Sequence, residues 1–182
     1  MAKQGKIGFE EIMEIYKKVG TPGEPHKLLA KLEGNWTTRS RGWMEPDKPP
    51  VESTGTCEQR IILDGRYLRQ EYAGDIMGQP YTGINLLGYN NHTMKYESVW
   101  LDTMNTALYY FVGTASPDGR IITQECSYDD PVSGPSVWRT VTKFKDDNTY
   151  EFETFLTPKG GKEEKMMEMT IERKEAVARK AA

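Results

Sequence analysis

A mainly β fold is predicted: an antiparallel up-and-down β-barrel of about ten strands with N-terminal helices. Three observations predict it. Strand-length segments with period-two alternation follow one another from about residue 35 to residue 173, with no helix-length segment between them. Compact turn clusters separate these segments, and short hairpins join antiparallel neighbours. Four Trp, ten Tyr and five Phe enrich an apolar content of 37%, and aromatic rings suit a pleated, half-buried surface.

The elements follow in order. Phe9, Ile12, Met13 and Tyr16 recur at helical spacing opposite Glu10, Glu11, Glu14 and Lys17, which predicts a helix over 7–19. Gly20-Thr21-Pro22-Gly23 ends it. A second short helix after Pro25 places Leu28, Leu29 and Leu32 on one face, with Gly34 as its stop. Strands are then expected near 35–43, 53–63, 66–75, 79–89, 93–102, 106–114, 119–129, 136–145, 148–157 and 163–173. Asp64-Gly65 predicts a tight primed turn, because both residues tolerate positive φ. Tyr89-Asn90-Asn91, Ser116-Pro117-Asp118-Gly119, Asp146-Asp147-Asn148 and Pro158-Lys159-Gly160-Gly161 mark further turns. Residues 1–24 read as a helical extension, 25–174 as the barrel domain and 175–182 as a flexible tail.

Alternation assigns faces. On the last strand Met167, Met169 and Ile171 turn inward, and Arg173 falls on the same side at the strand end. On the first strand Trp36, Thr38 and Ser40 oppose Arg39 and Arg41. Met94, Tyr96 and Trp100 oppose Lys95 and Glu97, while Tyr150, Phe152 and Leu156 oppose Glu151 and Glu153. The 106–114 strand is apolar on both faces (Leu108, Tyr109, Tyr110, Phe111, Val112), so its outer face is expected to be covered by the 7–19 helix or by a second subunit in a homodimer.

Composition narrows the function classes. A formal charge of −3, with Lys and Arg interleaved among acids, argues against nucleic-acid binding. No stretch approaches the length of a membrane-spanning helix, and the first residues do not read as a secretory signal, so a cytoplasmic setting is expected. Cys57 and Cys126 lack metal-type spacing and are expected as reduced thiols. The two Asn-x-Thr sequons at Asn35 and Asn91 carry no weight in that setting. Phosphate-binding loops, dinucleotide fingerprints, zinc-protease and nucleophile-elbow motifs are absent. With only His26 and His92, no His-rich metal site is expected, and no cofactor is implied. His26 is expected to cap or pack at the barrel mouth and His92 to be solvated, with haem ligation through either as the alternative.

Within the barrel, Tyr72, Tyr96 and Trp100, together with Gln70, are candidate residues lining a small-molecule site; apolar walls with a few polar groups are typical of ligand pockets. Trp138, Phe152, Thr38, Ser40 and Thr140 are further inward candidates. Glu58 and Arg60 share one face of the second strand. Facing inward they would form a ligand clamp or proton-transfer site; facing outward, a surface pair of little energetic weight. Asp102 is a turn former or a rim acid, and Asp129 and Asp130 read as a solvated loop.

Gly34-Asn35-Trp36, directly after a short helix, resembles the Gly-x-Trp opening of lipocalins and their calycin relatives. The resemblance implies that the helix plugs one barrel end, that Trp36 lies at its base, and that a basic residue of the last strand covers the ring; Arg173 stands in that place. The chain also resembles an uncharacterised bacterial group, domain of unknown function family 1579. The residues concerned are His26-Lys27-Leu28-Leu29 running into Gly34-Asn35-Trp36, then Ile62-Leu63-Asp64-Gly65-Arg66, Gly83 to Gly88-Tyr89-Asn90, Ser98-Val99-Trp100-Leu101-Asp102 and Arg139-Thr140-Val141-Thr142. That likeness covers about 25–174 and implies a calycin-like barrel without an activity. Three functions stay open: a barrel that binds a small apolar or amphipathic molecule, an enzyme using the cavity with Glu58 or Asp102 as acid or base, and a filled barrel that dimerises.

Overall fold

Successive hairpins leave each strand beside its sequence neighbour, and the last strand returns to the first. The computed structural model describes residues 7–45 and 48–174. Two helices, α1 (Phe9–Gly20) and α2 (Glu24–Ala30), precede ten strands: β1 (Gly34–Gly42), β2 (Val51–Ile62), β3 (Tyr67–Ile76), β4 (Gln79–Asn90), β5 (Lys95–Asp102), β6 (Tyr109–Ala115), β7 (Ile121–Asp130), β8 (Gly134–Phe144), β9 (Thr149–Pro158) and β10 (Glu164–Arg173). All pairs are antiparallel, and β1 joins β10 to close the barrel, with Trp36 opposite Arg173. Closure removes both edges of the sheet. The tail expected at 175–182 lies outside the described residues.

Trp36 holds the plugged end. Its indole Nε1 donates to the carbonyl of Leu32 just past α2 (2.9 Å), and its ring meets Tyr150 edge-on at 5.2 Å. Leu29, Leu68, Ile171 and Trp36 are fully buried there, so the leucine face of α2 supplies the lid of the core. Gly34 is required at the α2–β1 junction: its φ is +140°, and a Cβ would come within 2.6 Å of Arg173 Nη1.

Three expectations need correction. The Asp64-Gly65 turn is a four-residue loop between Ile62 and Tyr67 in which Leu63, Asp64 and Gly65 all take positive φ (50°, 54° and 87°). Met94 does not share the inward face of Tyr96; it sits in the preceding turn at φ 55° and is 70% exposed. The third concerns α1, which does not cover β6. No residue of α1 is buried, and Phe9 and Tyr16 stand 76% and 66% exposed. Its end is tied down by the Asn91 side chain, which donates to the carbonyls of Val19 and Thr21. The strand itself begins at Tyr109, which leaves Leu108 in the preceding loop. An apolar band therefore lies open on the outer wall, where Ile84 pairs with Leu101 and Leu86 with Val99, itself opposite Tyr110.

Candidate functional site

The inward face divides into two halves. Nearest α2, a chain of amides crosses the wall. Asn85 Nδ2 donates to Gln70 Oε1 (2.8 Å), Gln70 Nε2 to Gln59 Oε1 (2.9 Å), and Gln59 Nε2 to the Tyr150 hydroxyl (2.6 Å). The register explains the run, because Gln59 lies opposite Gln70 and Gln70 opposite Asn85. Gln59 and Gln70 are buried, so this satisfied chain holds polar groups that would otherwise be costly inside. Burial pushes the Cys57 thiol up to about 12 and raises the neighbouring Tyr72 phenol well above its usual range. Neither is an activated nucleophile.

Toward the end away from α2, the inward side chains become aromatic and stay half-buried: Tyr72, Tyr81, Trp100, Tyr109, Tyr128 and Trp138. The Tyr72 ring meets Trp100 edge-on at 5.5 Å, and Tyr109 meets Tyr128 likewise at 5.0 Å. Trp100 has room because it lies over Gly83, where a Cβ would overlap the indole. Two carboxylates border this aromatic wall. Asp102 accepts from Trp100 Nε1 (2.7 Å) and from the backbone of Met104 (2.8 Å), making it a rim acid and a turn former at once. Asp130 accepts from the Tyr128 hydroxyl and from the backbone of Val132 and Ser133. Burial pushes its carboxyl up, but those donors outweigh burial and hold it down to about 2. The expected solvated loop at Asp129 and Asp130 is therefore half wrong: Asp129 is exposed, whereas Asp130 ends β7 on the inward side. The Nε1–H of Trp138 is shut from solvent and has no acceptor in the described residues.

The sequence-derived candidates scatter accordingly. Tyr72 and Trp100 come together. Tyr96 does not join them: it is 3% exposed, packed edge-on against Tyr89 at 5.0 Å in the core below α2. Gln70 belongs to the amide chain. Glu58 and Arg60 point outward, forming a surface ion pair at 3.1 Å with side chains 54% and 43% exposed, so they cannot clamp a ligand in the barrel. Tyr81, Tyr109, Tyr128, Asp130 and Gln59 were missed. Extending the alternation Gln124, Cys126, Tyr128 by one step reaches Asp130, and Gln59 follows from Cys57 in the same way.

His26 is buried beneath the α1–α2 link, its Nδ1 accepting from the Gly23 backbone (3.0 Å) and its ring 5.9 Å from Tyr89. Among the described residues, no group of three or more His, Cys, Asp or Glu is placed to hold a metal. A groove of about 730 Å³ opens across β2, β1, β10 and β9, lined by outward Arg39, Arg41, Glu52, Glu151, Glu153 and Glu168 together with inward Ser40, Ser53, Phe152 and Met169. Its charges are matched by pairs such as Arg41–Glu168 and Lys165–Glu153, so it has the character of a solvated wall.

Residues 21–173 match the model of the family described as "Protein of unknown function (DUF1579)". The chain belongs to that family. Among solved structures, this member is similar to Rv2717c from M. tuberculosis, with a TM-score of 0.64 at 16% identity over 85% of this chain and 100% of the other. It is also similar to the S-type phycobiliprotein lyase CPES from Guillardia theta, with a TM-score of 0.60 at 11% identity over 93% and 99% of the two chains. At these identities the likeness speaks for the calycin-like fold. No curated protein matches the sequence.

Proposed function

We propose that the barrel of this DUF1579 member holds a small apolar or amphipathic molecule, admitted at the end away from α2. One observation carries the reading: Trp36, Tyr96 and Tyr150 are buried toward α2, whereas a run of inward aromatics stays half-buried toward the opposite end, where Tyr72 and Trp100 form a wall. Apolar walls with a few oriented polar groups are the usual make-up of a ligand site, and the likeness to a phycobiliprotein lyase is compatible with such use of the barrel. An acid–base enzyme is less well supported, since Glu58 faces solvent and both Asp102 oxygens already accept hydrogen bonds. Two buried thiols without a disulfide, Cys57 and Cys126, support a reducing, cytoplasmic setting.

Titration of a neutral fluorescent apolar probe, followed by Trp emission, tests the reading. Trp100→Ala is expected to weaken binding by roughly 1–3 kcal/mol, as for a lost buried aromatic contact. Equal affinity for the variant and the parent would leave these rings as wall packing alone.

A second reading rests on the open outer band. Ile84, Leu86, Leu101 and Tyr110 are 39%, 37%, 37% and 52% exposed on adjacent strands, and contiguous apolar surface of this kind commonly marks an association site. We infer a homodimer through β4, β5 and β6. Sedimentation is expected to show a dimer that Tyr110→Lys converts to monomer; a monomeric parent protein overturns it.

A further inference from the structure

We propose that the aromatic end of the barrel selects an organic cation, a planar or quaternary ammonium group seated between the Trp100–Asp102 and Tyr128–Asp130 pairs. This inference rests on the ligand-binding reading above and adds the charge of the ligand to it.

The inward side of this end carries two carboxylates, Asp102 and Asp130, and among the described residues no strand there places a basic side chain on the same face. Among the described residues, neither Asp102 nor Asp130 has an ion-pair partner within 4.0 Å, whereas Glu153, Glu163, Glu168 and Glu172 on the outer wall all do. Alternation sends the cation of the neighbouring strand outward: Arg139, next in sequence to Trp138, pairs with Glu163. Arg173, the basic residue on the inward side, is spent at the opposite end over Trp36. Neutral donors from Trp100, Tyr128 and Ser133 orient the two carboxylates but leave each with its charge.

The rings add to this field. Tyr109 touches Tyr128 on one side and lies opposite Trp100 on the other, so one ring bridges the two acid-bearing pairs. Ring faces attract cations through their quadrupole, most strongly where water is excluded. Carboxylates bordering such a wall repel anions and add Coulomb attraction for a cation in a low-dielectric space.

The test compares 10-methylacridinium with acridine at about pH 8, where the second is neutral and the ring system is otherwise the same. Binding of each to the full chain is followed by fluorescence. The cation is expected to bind about tenfold more tightly, within the range of desolvated cation–π contacts, and the preference is expected to vanish in Asp102→Asn/Asp130→Asn. Should that variant fail to fold, indole N–H signals of the parent protein serve instead: 10-methylacridinium is expected to move those of Trp100 and Trp138 and leave that of Trp36 in place. If neither dye binds, the ligand-binding reading itself fails. If both bind equally, if the preference survives the double substitution, or if Trp100 and Trp138 do not respond, ligand binding stands and cation selection is overturned.

Discussion

The Arg173 guanidinium lies 4.1 Å from the centre of the Trp36 ring and donates to the carbonyls of Lys31 and Glu33. One planar group thereby joins the last strand to the first and satisfies two carbonyls beyond α2 that no helical N–H reaches. Its Nε also donates to Asn148 Oδ1 (3.1 Å), so the β8–β9 turn is held by the same side chain. Arg173→Lys keeps the charge but loses the fork. The expected loss is roughly 0.5–2 kcal/mol for the stacked contact alone, measured as a lower urea midpoint; an unchanged midpoint would remove Arg173 from the account of closure.

The amide chain predicts a specific penalty. Gln59→Leu takes away the acceptor for Gln70 and the donor to Tyr150 while keeping similar bulk. An unmatched buried amide costs about 1–3 kcal/mol, so chemical denaturation is expected to report a loss of that size. Gln59→Glu is expected to be worse, because it places a charge in the same sealed position.

His26 predicts acid sensitivity. Burial lowers its pKa, so the folded state prefers the neutral ring. The sign follows from linkage: the unfolded chain takes up the proton first, and stability present above about pH 6.5 falls as the pH drops through the folded-state value. Urea midpoints measured from about pH 7.5 down to pH 5 are expected to decline, and His26→Asn is expected to flatten that decline. A parallel slope in the variant would assign the sensitivity to other groups.

Gly83→Ala is expected to destabilise by about 1–3 kcal/mol through overpacking against the Trp100 ring and to shift Trp emission. Gly20→Ala, where a Cβ meets nothing within 4 Å, is the control and is expected to leave both signals unchanged.

The strands were legible because each buries one face, and a one-residue slip would turn Ile171 and Tyr150 to solvent. Turn chemistry then divided the chain into ten. The Asp64-Gly65 loop was misjudged because Leu63 also takes positive φ, a conformation that a leucine side chain does not advertise. Site residues were harder to read for a different reason. Alternation says inward or outward but not how far along the barrel a residue sits. Tyr96 and Trp100 share a face four residues apart, yet one lies sealed beneath α2 and the other lines the half-buried end. For Glu58 and Arg60 the flanking Ile61 and Ile62 favour neither face; Cys57 and Gln59, both buried, decide it.

The β1–β10 seam bears on how the chain is made. Arg39 and Glu172, bonded across it, are 133 residues apart, so the first strand leaves the ribosome long before its partner exists. Every other strand pair forms between consecutive segments, and the growing sheet carries an unpaired edge at each side until residue 173 emerges. Nascent chains released early present two sticky margins rather than a smaller barrel. A sheet of this design is exposed to edge-to-edge aggregation from its first hairpin until β10 is made, and the ten residues of that strand end the exposure.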